Sequence, residues 1–383
     1  MKRTRLQFTL LSLLFVLQGV VGVAQEQVLS KAEAIAQTLE NNYNIAVAGN
    51  SVLIAENNAD LLNSNYLPTV FGLAGTNYSV QDQSTDRDDG GSFDLNNAKS
   101  ETYNASVNLE YTLFDGLGRL YNYRSLKETY NLSKLEARET IENTVLQLFS
   151  VYYEVARLTK NVEILEQTLE ISRNRVKRAE YQFDYGQNTK LEVLNAEVDV
   201  TNDSINLMNT RQLLQNTKRD LNVVLARDLK EGFAVDTNVV FIPKIQLESY
   251  IDMAEENNVR ILQSESAITL SEYDIQSSKA RFLPTVGLSG SYGWNQSISP
   301  ASAFFGGSTR QNTGWQGGLS LRWNLFDGGT SITQFKNAKI AKNNQELLKQ
   351  QIKLEVARDV ANALGNYENL VEVFEIQEQN VIT

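Results

Sequence analysis

Residues 102–116 read Thr-Tyr-Asn-Ala-Ser-Val-Asn-Leu-Glu-Tyr-Thr-Leu-Phe-Asp-Gly, and this stretch indicates the architecture of the chain. Apolar and polar side chains alternate from Thr102 to Leu113, which predicts a β-strand with one apolar and one polar face. The run is close to the roughly 9–11 residues with which a tilted strand crosses a bilayer. Asp115 follows the strand and is a good N-cap residue, so we expect a helix to begin directly after it.

Three more segments are predicted to be strands of this kind. Alternation is clear after Pro284 and again from Trp315, but it is weaker after Val70, where the two faces cannot be assigned. Two polar stretches of nearly 20 residues, Gln81–Lys99 and Asn295–Asn312, are predicted to be the loops within each strand pair. The predicted strands lie at about 69–80, 102–113, 285–294 and 314–325.

Alternating strands also occur in soluble sandwiches, so a membrane location needs further support. Trp and Tyr lie near the ends of the runs, where outer-membrane barrels carry aromatic girdles, and long loops on one side are typical of such barrels. A sheet in lipid cannot leave an open edge, because unpaired N–H and C=O groups are costly there. Four strands are too few to close a barrel alone, so we expect several copies to share one, and three copies would supply about 12 strands.

The same pattern occurs twice in the chain. Pro68 and Pro284, each within Leu-Pro-Thr-Val, lie 216 positions apart, and Asp115 and Asp327, each within Leu-Phe-Asp-Gly, lie 212 apart. Two landmarks at nearly the same offset indicate one structural unit written twice. The expected division is a first repeat over 25–229, a linker over 230–246 and a truncated second repeat over 247–383.

Long helices are predicted on both sides of the strands. Residues 29–66 are expected to form one helix, with Ser30 as its N-cap and Glu33 three residues later, as in a capping box. The stretch 116–229 predicts a helical hairpin that turns near Gly186.

The second repeat is predicted to have fewer helices than the first. Helices are expected over about 247–282 and from about 328 onward. The sequence stops at Thr383 before a counterpart of Gly186 is reached, so either the second repeat has no last helix or the chain is a fragment that lacks it. A fragment is expected, because the final residues still have the pattern of the middle of a helix.

The hairpin helices carry an apolar pattern that is typical of coiled coils. On the first helix, apolar residues recur at alternating steps of four and three. These residues are Ile141, Val145, Leu148, Tyr152, Val155, Leu158, Val162 and Leu165. On the return helix, the apolar residues are Leu191, Leu194, Val198, Ile205 and Met208.

Composition argues against an enzyme and against a nucleic-acid partner. The chain contains no His and no Cys, which removes His-based acid–base catalysis, thiol nucleophiles and thiolate or imidazole metal sites. With 35 basic and 46 acidic residues and no basic stretch, it offers no phosphate-binding surface. No cofactor is expected. A secreted glycosidase with paired carboxylates stays open as an alternative, although long heptad stretches do not provide its concave site.

The first 24 residues are predicted to be a secretory signal peptide. Lys2, Arg3 and Arg5 precede the apolar run Leu6–Leu17, and Gly22 and Ala24 are the small residues expected before a cleavage site. The apolar run is shorter than the roughly 20 residues of a membrane-spanning helix, which favours cleavage over anchoring.

In their order and duplication, these features resemble the TolC-like outer-membrane efflux proteins. The match includes Tyr-Gly-Gln-Asn-Thr-Lys-Leu-Glu-Val-Leu-Asn-Ala-Glu from Tyr185 onward. The resemblance implies a mixed α and β membrane protein, with four strands per chain in a trimeric 12-stranded outer-membrane barrel and a long coiled-coil tunnel in the periplasm. It also implies a periplasmic adaptor protein and an inner-membrane transporter as partners. By the resemblance, the adaptor docks at the hairpin tip, formed here by Asp184, Tyr185, Gly186, Gln187, Asn188 and Thr189.

The expected function is therefore a passive export duct of a tripartite efflux or type I secretion system. Its lumen would be lined by the polar strand face, including Glu110, Arg322 and Asn324, and its apolar face would meet outer-membrane lipid. The excess of acid suggests a weak preference for cations. The alternative is a structural periplasmic coiled-coil protein that is anchored in the outer membrane and does not transport.

Overall fold

The computed structural model describes residues 28–86, 88, 90–239, 253–254, 256–301 and 306–382. The predicted signal peptide over 1–24 and residues 240–246 of the predicted linker lie outside the described residues. The chain divides into two compact units. The helical unit combines Met1–Asn50 with Ala137–Leu247, and the sheet unit combines Ser51–Glu136 with Glu248–Thr383.

The strands are β1 Val28–Leu29, β2 Thr69–Asp86, β3 Ser92–Phe114, β4 Ala234–Val235, β5 Thr285–Ser299 and β6 Ser308–Arg322. The helices are α1 Lys31–Asn41, α2 Tyr43–Asn58, α3 Gly118–Asp184, α4 Lys190–Val224, α5 Val259–Ala280 and α6 Thr330–Ile382, with one 3₁₀ turn at Leu61–Asn63.

One antiparallel sheet in the order β2-β3-β5-β6 forms the centre of the sheet unit. Each sequence repeat supplies one hairpin, and the two hairpins join through the pairing of β3 with β5. The compact units therefore differ from the sequence repeats, because strands of both repeats hydrogen-bond in the same sheet. Both hairpins have the same register at their base, where Thr69 pairs with Glu110 and Thr285 pairs with Arg322.

The strands are longer than the sequence predicted at their hairpin ends. The predicted loops Gln81–Lys99 and Asn295–Asn312 are wrong, because pairing continues to Asp86 with Ser92 and to Ser299 with Ser308. Main-chain hydrogen bonds do not require apolar side chains, so a polar ladder can extend past an apolar one. The prediction of a strand up to residue 325 is also wrong, since β6 ends at Arg322.

A short turn and a capping aspartate connect each hairpin to its long helix. The Oδ2 atom of Asp115 accepts a hydrogen bond from the main-chain N–H of Arg119 at 2.7 Å, and Oδ2 of Asp327 accepts one from that of Ser331 at 3.0 Å. The capping role predicted for both aspartates is confirmed. The Ser331 hydroxyl also donates to Asp327 and lowers the pKa of that carboxyl.

The helix predicted over 29–66 is interrupted at Asn42. Its Oδ1 atom accepts hydrogen bonds from the N–H groups of Asn44 and Ile45, at 2.9 and 3.3 Å, so it ends α1 and starts α2. Asn258, the counterpart 216 positions on, caps α5 in the same way through the N–H of Arg260. A short amide side chain that replaces the missing helical acceptor explains both breaks. The predicted N-cap at Ser30 is confirmed by its contact with the N–H of Glu33.

A ladder of ion pairs joins α5 and α6 in the sheet unit. Lys342 contacts Glu272 at 2.8 Å and Lys349 contacts Glu265 at 2.8 Å. Arg260 extends the ladder with the charges exchanged between the helices. This basic residue lies on α5, 2.7 Å from Glu355 on α6.

The first repeat uses a different contact at the corresponding place. The Tyr130 hydroxyl and the Glu56 carboxylate, the counterparts of Lys342 and Glu272, lie 3.1 Å apart.

The helical unit is built around the hairpin of α3 and α4. The coiled-coil seam predicted on α3 is confirmed from Leu148 to Val162, whereas Ile141 at its start is exposed. The hydroxyl of the buried Tyr152 donates to the carbonyl oxygen of Leu29 at 2.7 Å and accepts from the N–H of Asp236 at 3.0 Å. It thereby ties α3 to the parallel pair β1 and β4, of which β4 lies within the predicted linker 230–246.

The side of α4 that packs inward is not the one with the apolar residues noted in the sequence. The residues that pack against α3 follow a seven-residue step and are Val193, Val200, Leu207, Leu214 and Leu221. Leu191, Leu194, Val198, Ile205 and Met208 are all exposed. The helix therefore has two apolar stripes, of which only one is covered within the chain.

Candidate functional site

The register of the sheet assigns each side chain to one of two faces, because paired residues point to the same side and successive residues to opposite sides. Glu110 shares its face with Thr69 on β2 and Ser289 on β5. Further paired rows on that face consist almost entirely of small or amide side chains. They include Asn104 with Asn295 and Asn312, and Asn108 with Ser291 and Gln316. This polar face is the candidate functional surface of the sheet.

The opposite face is apolar and ends in aromatic side chains. Val107 lies in one row with Tyr292 and Trp315, whose rings are 4.8 Å apart. Trp294 lies one row further toward the hairpin ends, paired with Thr313, and Trp323 follows the base of β6. Ten residues separate Thr313 from Trp323, which is about 33 Å along a strand and about 25 Å across a layer at a 40° tilt. That distance is the height of the apolar band of an outer-membrane barrel.

The weak alternation of β2 arises because both of its faces carry apolar side chains. Val70, Gly72 and Ala74 lie on the apolar face, whereas Phe71 and Leu73 lie on the polar one. Both faces of β2 therefore carry apolar side chains near its base, so periodicity alone could not separate them.

Two of the three predicted lumen residues lie on the polar face. Glu110 and Arg322 are both exposed there, in the first ladder pair of their hairpins. Asn324 lies beyond the end of β6 and has no place in the ladder. It contributes instead to a groove at the base of the sheet, together with Asp115, Arg281 and Asp327. Sequence reasoning missed Arg310, which the register places on the polar face opposite Ser297.

The hairpin tip is a tightly defined turn with exposed side chains. The N–H of Gln187 donates to the carbonyl oxygen of Gln182 at 2.8 Å, and the N–H of Gly186 donates to that of Phe183 at 2.9 Å. These two bonds form a Schellman motif, which requires the left-handed conformation found at Gly186, with φ of +71°. Thr189 then caps α4 through the N–H of Glu192.

Aromatic rings are concentrated at this tip. Tyr185 is 80% exposed, and Tyr181 and Phe183 are also exposed. The Lys190 ammonium lies 5.8 Å from the centre of the Phe183 ring. Sequence reasoning included Tyr185 but missed Tyr181 and Phe183, although the recurrence of an aromatic ring at every second position from 181 to 185 was visible. Exposed rings close to charged groups are typical of protein-binding surfaces.

Two further findings limit the chemistry of the described residues. No group of three or more acidic side chains among them is arranged to hold a metal ion. Among the helices that the structure describes, none has an apolar stretch long enough to cross a membrane.

Comparison of the amino-acid sequence with known proteins identifies a relative. The chain is similar to the outer membrane efflux protein BepC of Brucella suis biovar 1 (strain 1330), with 20% identity over 326 residues. That alignment covers 85% of the chain but 66% of BepC, so the chain spans just under two thirds of this relative.

Solved structures show the same fold. The chain matches a crystal structure of CusC with a TM-score of 0.73 and 16% identity, over 92% of the chain and 79% of CusC. It matches the outer membrane protein VceC of Vibrio cholerae with a TM-score of 0.70 and 15% identity, over 91% of the chain and 81% of VceC.

The family comparison covers both sequence repeats. The family described as outer membrane efflux protein matches residues 34–227 and 250–383, which is most of the chain. The resemblance inferred from the sequence is thereby confirmed, and so is the outer membrane as the location. The chain belongs to the outer membrane efflux protein family.

Proposed function

We propose that this protein is the outer-membrane channel of a tripartite efflux or type I secretion system and acts as a passive conduit. The observation that carries the proposal is the open sheet β2-β3-β5-β6, which has one polar face and one apolar face, and whose edge strands β2 and β6 have no outer partner among the described strands. A sheet of this kind can lie in lipid only when its edges are paired. Three copies would supply the strands of a closed 12-stranded barrel with a polar lumen.

Differences between equivalent residues support a missing neighbour at the β6 edge. Phe114, inside the sheet, is 37% exposed, but its counterpart Phe326 is 88% exposed. Gly116 has no room for a Cβ atom, which would lie 2.6 Å from the carbonyl oxygen of Ala280. Its counterpart Gly328 has the same φ of +71°, but a Cβ atom there would have no described residue within 4 Å apart from its chain neighbours. The second repeat thus keeps a backbone shaped for close packing that its own chain does not provide.

The exposed apolar stripe of α4 supports the same assembly in the helical unit. Leu191, Leu194, Val198, Ile205 and Met208 recur at steps of three, four, seven and three. That spacing is a coiled-coil seam, and a helix of a neighbouring copy would cover it.

The partners follow from the proposed function. A periplasmic adaptor protein would dock at the tip from Asp184 to Thr189, where the rings are exposed, and an inner-membrane transporter would supply the energy. The conduit itself needs no catalytic residue and no cofactor. The alternative of a structural coiled-coil protein is not favoured, because it leaves the polar face of the sheet without a role.

The test is to purify the full-length protein in detergent, measure its mass, and record its conductance in planar bilayers. A trimer that forms ion-conducting pores supports the proposal. A trimer without conductance would favour the structural alternative, provided that a variant with a shortened hairpin tip is equally silent. A chain that stays soluble and monomeric without detergent would contradict both.

A further inference from the structure

Glu110 and Arg322 are equivalent residues of the two sequence repeats but carry opposite charges. They lie 212 positions apart, and each lies five residues before its capping aspartate. Each also pairs with the threonine that begins its hairpin, Thr69 or Thr285. The two side chains therefore occupy the same place in the repeated unit, and only the sign of the charge differs.

Both side chains lie on the polar face of the sheet. Glu110 pairs with Ser289 of β5, and Arg322 pairs with Thr285 of the same strand. Thr285 and Ser289 are four residues apart and so point to the same side. Within the described part of the chain, neither charged side chain has a hydrogen bond or an ion pair.

We propose, on the basis of the channel function above, that Glu110 and Arg322 form a ring of alternating charges around the lumen. In three copies the strand order repeats as β2-β3-β5-β6, so β3 and β6 occupy every second position around the barrel. Six charged side chains, three acidic and three basic, then alternate at one height. From the register, neighbours are two strands and four residues apart, which is about 16 Å between Cα atoms.

The ring itself carries no net charge, which changes the expectation drawn from composition. The weak cation preference suggested by the net charge of −11 counts residues far from the lumen. The other charged residue that the register puts on this face, Arg310, lies twelve residues further along β6, about 40 Å away. At that distance its field is screened at physiological salt. The ring and the charged groove that Arg322 shares with Asp115, Arg281 and Asp327, and not the net charge, therefore set the selectivity near the base of the sheet.

Reversal potentials of the full-length channel in a salt gradient test the ring. At low salt, where screening is weak, Glu110→Gln should lower the potassium-to-chloride permeability ratio by about twofold, and Arg322→Gln should raise it by a similar factor. The double variant E110Q/R322Q and the exchanged variant E110R/R322E should both return to the wild-type ratio. Asp94→Asn, which removes a charge from the opposite face of the sheet, is the matched control and should change nothing.

Several outcomes would overturn the ring. The ring is contradicted if Glu110→Gln and Arg322→Gln both form conducting channels but leave the potassium-to-chloride permeability ratio unchanged, or shift it in the same direction. The channel function would stay intact in that case. If the wild-type protein forms neither trimers nor pores, the channel function fails with it.

A second measurement does not depend on conductance. In lipid vesicles, the Glu110→Cys and Arg322→Cys variants should react with a charged thiol reagent, whereas Leu109→Cys on the apolar face should be shielded. The chain has no Cys of its own, so the signal is specific. Equal labelling of Leu109→Cys and Glu110→Cys would place the charges outside a lumen and exclude the ring.

Discussion

The side-chain amide of Asn42 donates a hydrogen bond to the main-chain carbonyl oxygen of Val224, 2.8 Å away. The same side chain caps α2 with its oxygen, so it joins the break between α1 and α2 to the end of the hairpin helix α4. Asn42 is buried, and water cannot easily replace these bonds. This one amide fixes where two helical segments of the helical unit meet.

Replacing Asn42 with Ala should therefore lower the free energy of unfolding by about 1–3 kcal/mol, because a cap and a buried hydrogen bond are lost together. Asn41→Ala is the matched control, since Asn41 is the exposed neighbour and should change stability by less than about 0.5 kcal/mol. Thermal unfolding followed by circular dichroism would compare the two. Equal midpoints for both variants would show that the bond to Val224 does not stabilise the fold.

Two substitutions at the hairpin tip should affect different properties, one the stability of the turn and the other the binding of an adaptor protein. Gly186→Ala forces a Cβ atom onto a left-handed residue, which costs about 1–2 kcal/mol and should loosen the turn locally. Tyr185→Ala removes a ring that is 80% exposed, so it should leave the unfolding midpoint unchanged but weaken binding of a periplasmic adaptor from the same bacterium.

Surface plasmon resonance with the purified adaptor would measure this binding, with Gln167→Ala, on the exposed side of α3, as the control. Adaptor binding that is unaffected by Tyr185→Ala and by a Tyr181→Ala/Phe183→Ala double variant would mean that docking uses another surface.

The contact of α5 with α6 should depend on pH in a definite direction. Hydrogen bonds from Gln351 and Arg260 lower the pKa of Glu355 below its ordinary value of 4.5. A lowered pKa in the folded state means that the stabilisation is fully present above pH 4.5 and is lost as the pH falls through the folded-state pKa.

The Glu272 carboxylate has the complementary effect on Lys342. Its hydrogen bond raises the pKa of Lys342 above 10.5, so that pair is fully present below pH 10.5 and is lost as the pH rises through the higher value.

The Glu355 contact can be tested with the variant Glu355→Gln. Because this contact is lost in acid, the thermal midpoints of wild type and Glu355→Gln should differ at neutral pH and converge at low pH. A difference that persists at pH 2 would assign the effect to packing rather than charge.

Periodicity made much of this fold predictable. Alternation from Thr102 to Leu113 predicted a two-faced strand, and the heptads from Leu148 to Val162 predicted the seam of α3, because each period reports directly which side chains share a face. Duplication at offsets of 212 and 216 predicted that Asp115 and Asp327 would have the same capping role.

The features that were missed depend on the surroundings of a residue rather than on its period. Asn42 caps α2 with its side-chain oxygen, and its amide also donates to the carbonyl of Val224, a contact 182 positions away that no local pattern predicts. On α4, the stripes beginning at Val193 and Leu191 both have coiled-coil spacing, and the sequence does not say which one packs within the chain. The polar ladder beyond Gln81 consists of main-chain bonds, which leave no trace in hydropathy.

Equivalence of the repeats also predicts how neighbouring copies would pair. If β6 meets β2 of the next copy as β3 meets β5, then Gln316 lies opposite Ser79 of that copy, just as Asn104 lies opposite Asn295. Paired residues of adjacent strands are close enough for a disulfide, and the chain has no Cys to interfere.

The most direct measurement of a barrel shared between copies is therefore oxidative crosslinking of the variant with Ser79→Cys and Gln316→Cys, followed by denaturing electrophoresis without reductant. We expect covalent dimers and trimers that collapse to monomers on reduction. The variant with Ser79→Cys and Ser320→Cys, displaced by four residues or about 13 Å, should stay monomeric. Monomers alone from both variants, in a preparation that also has the mass of a single chain in detergent, would contradict the shared barrel.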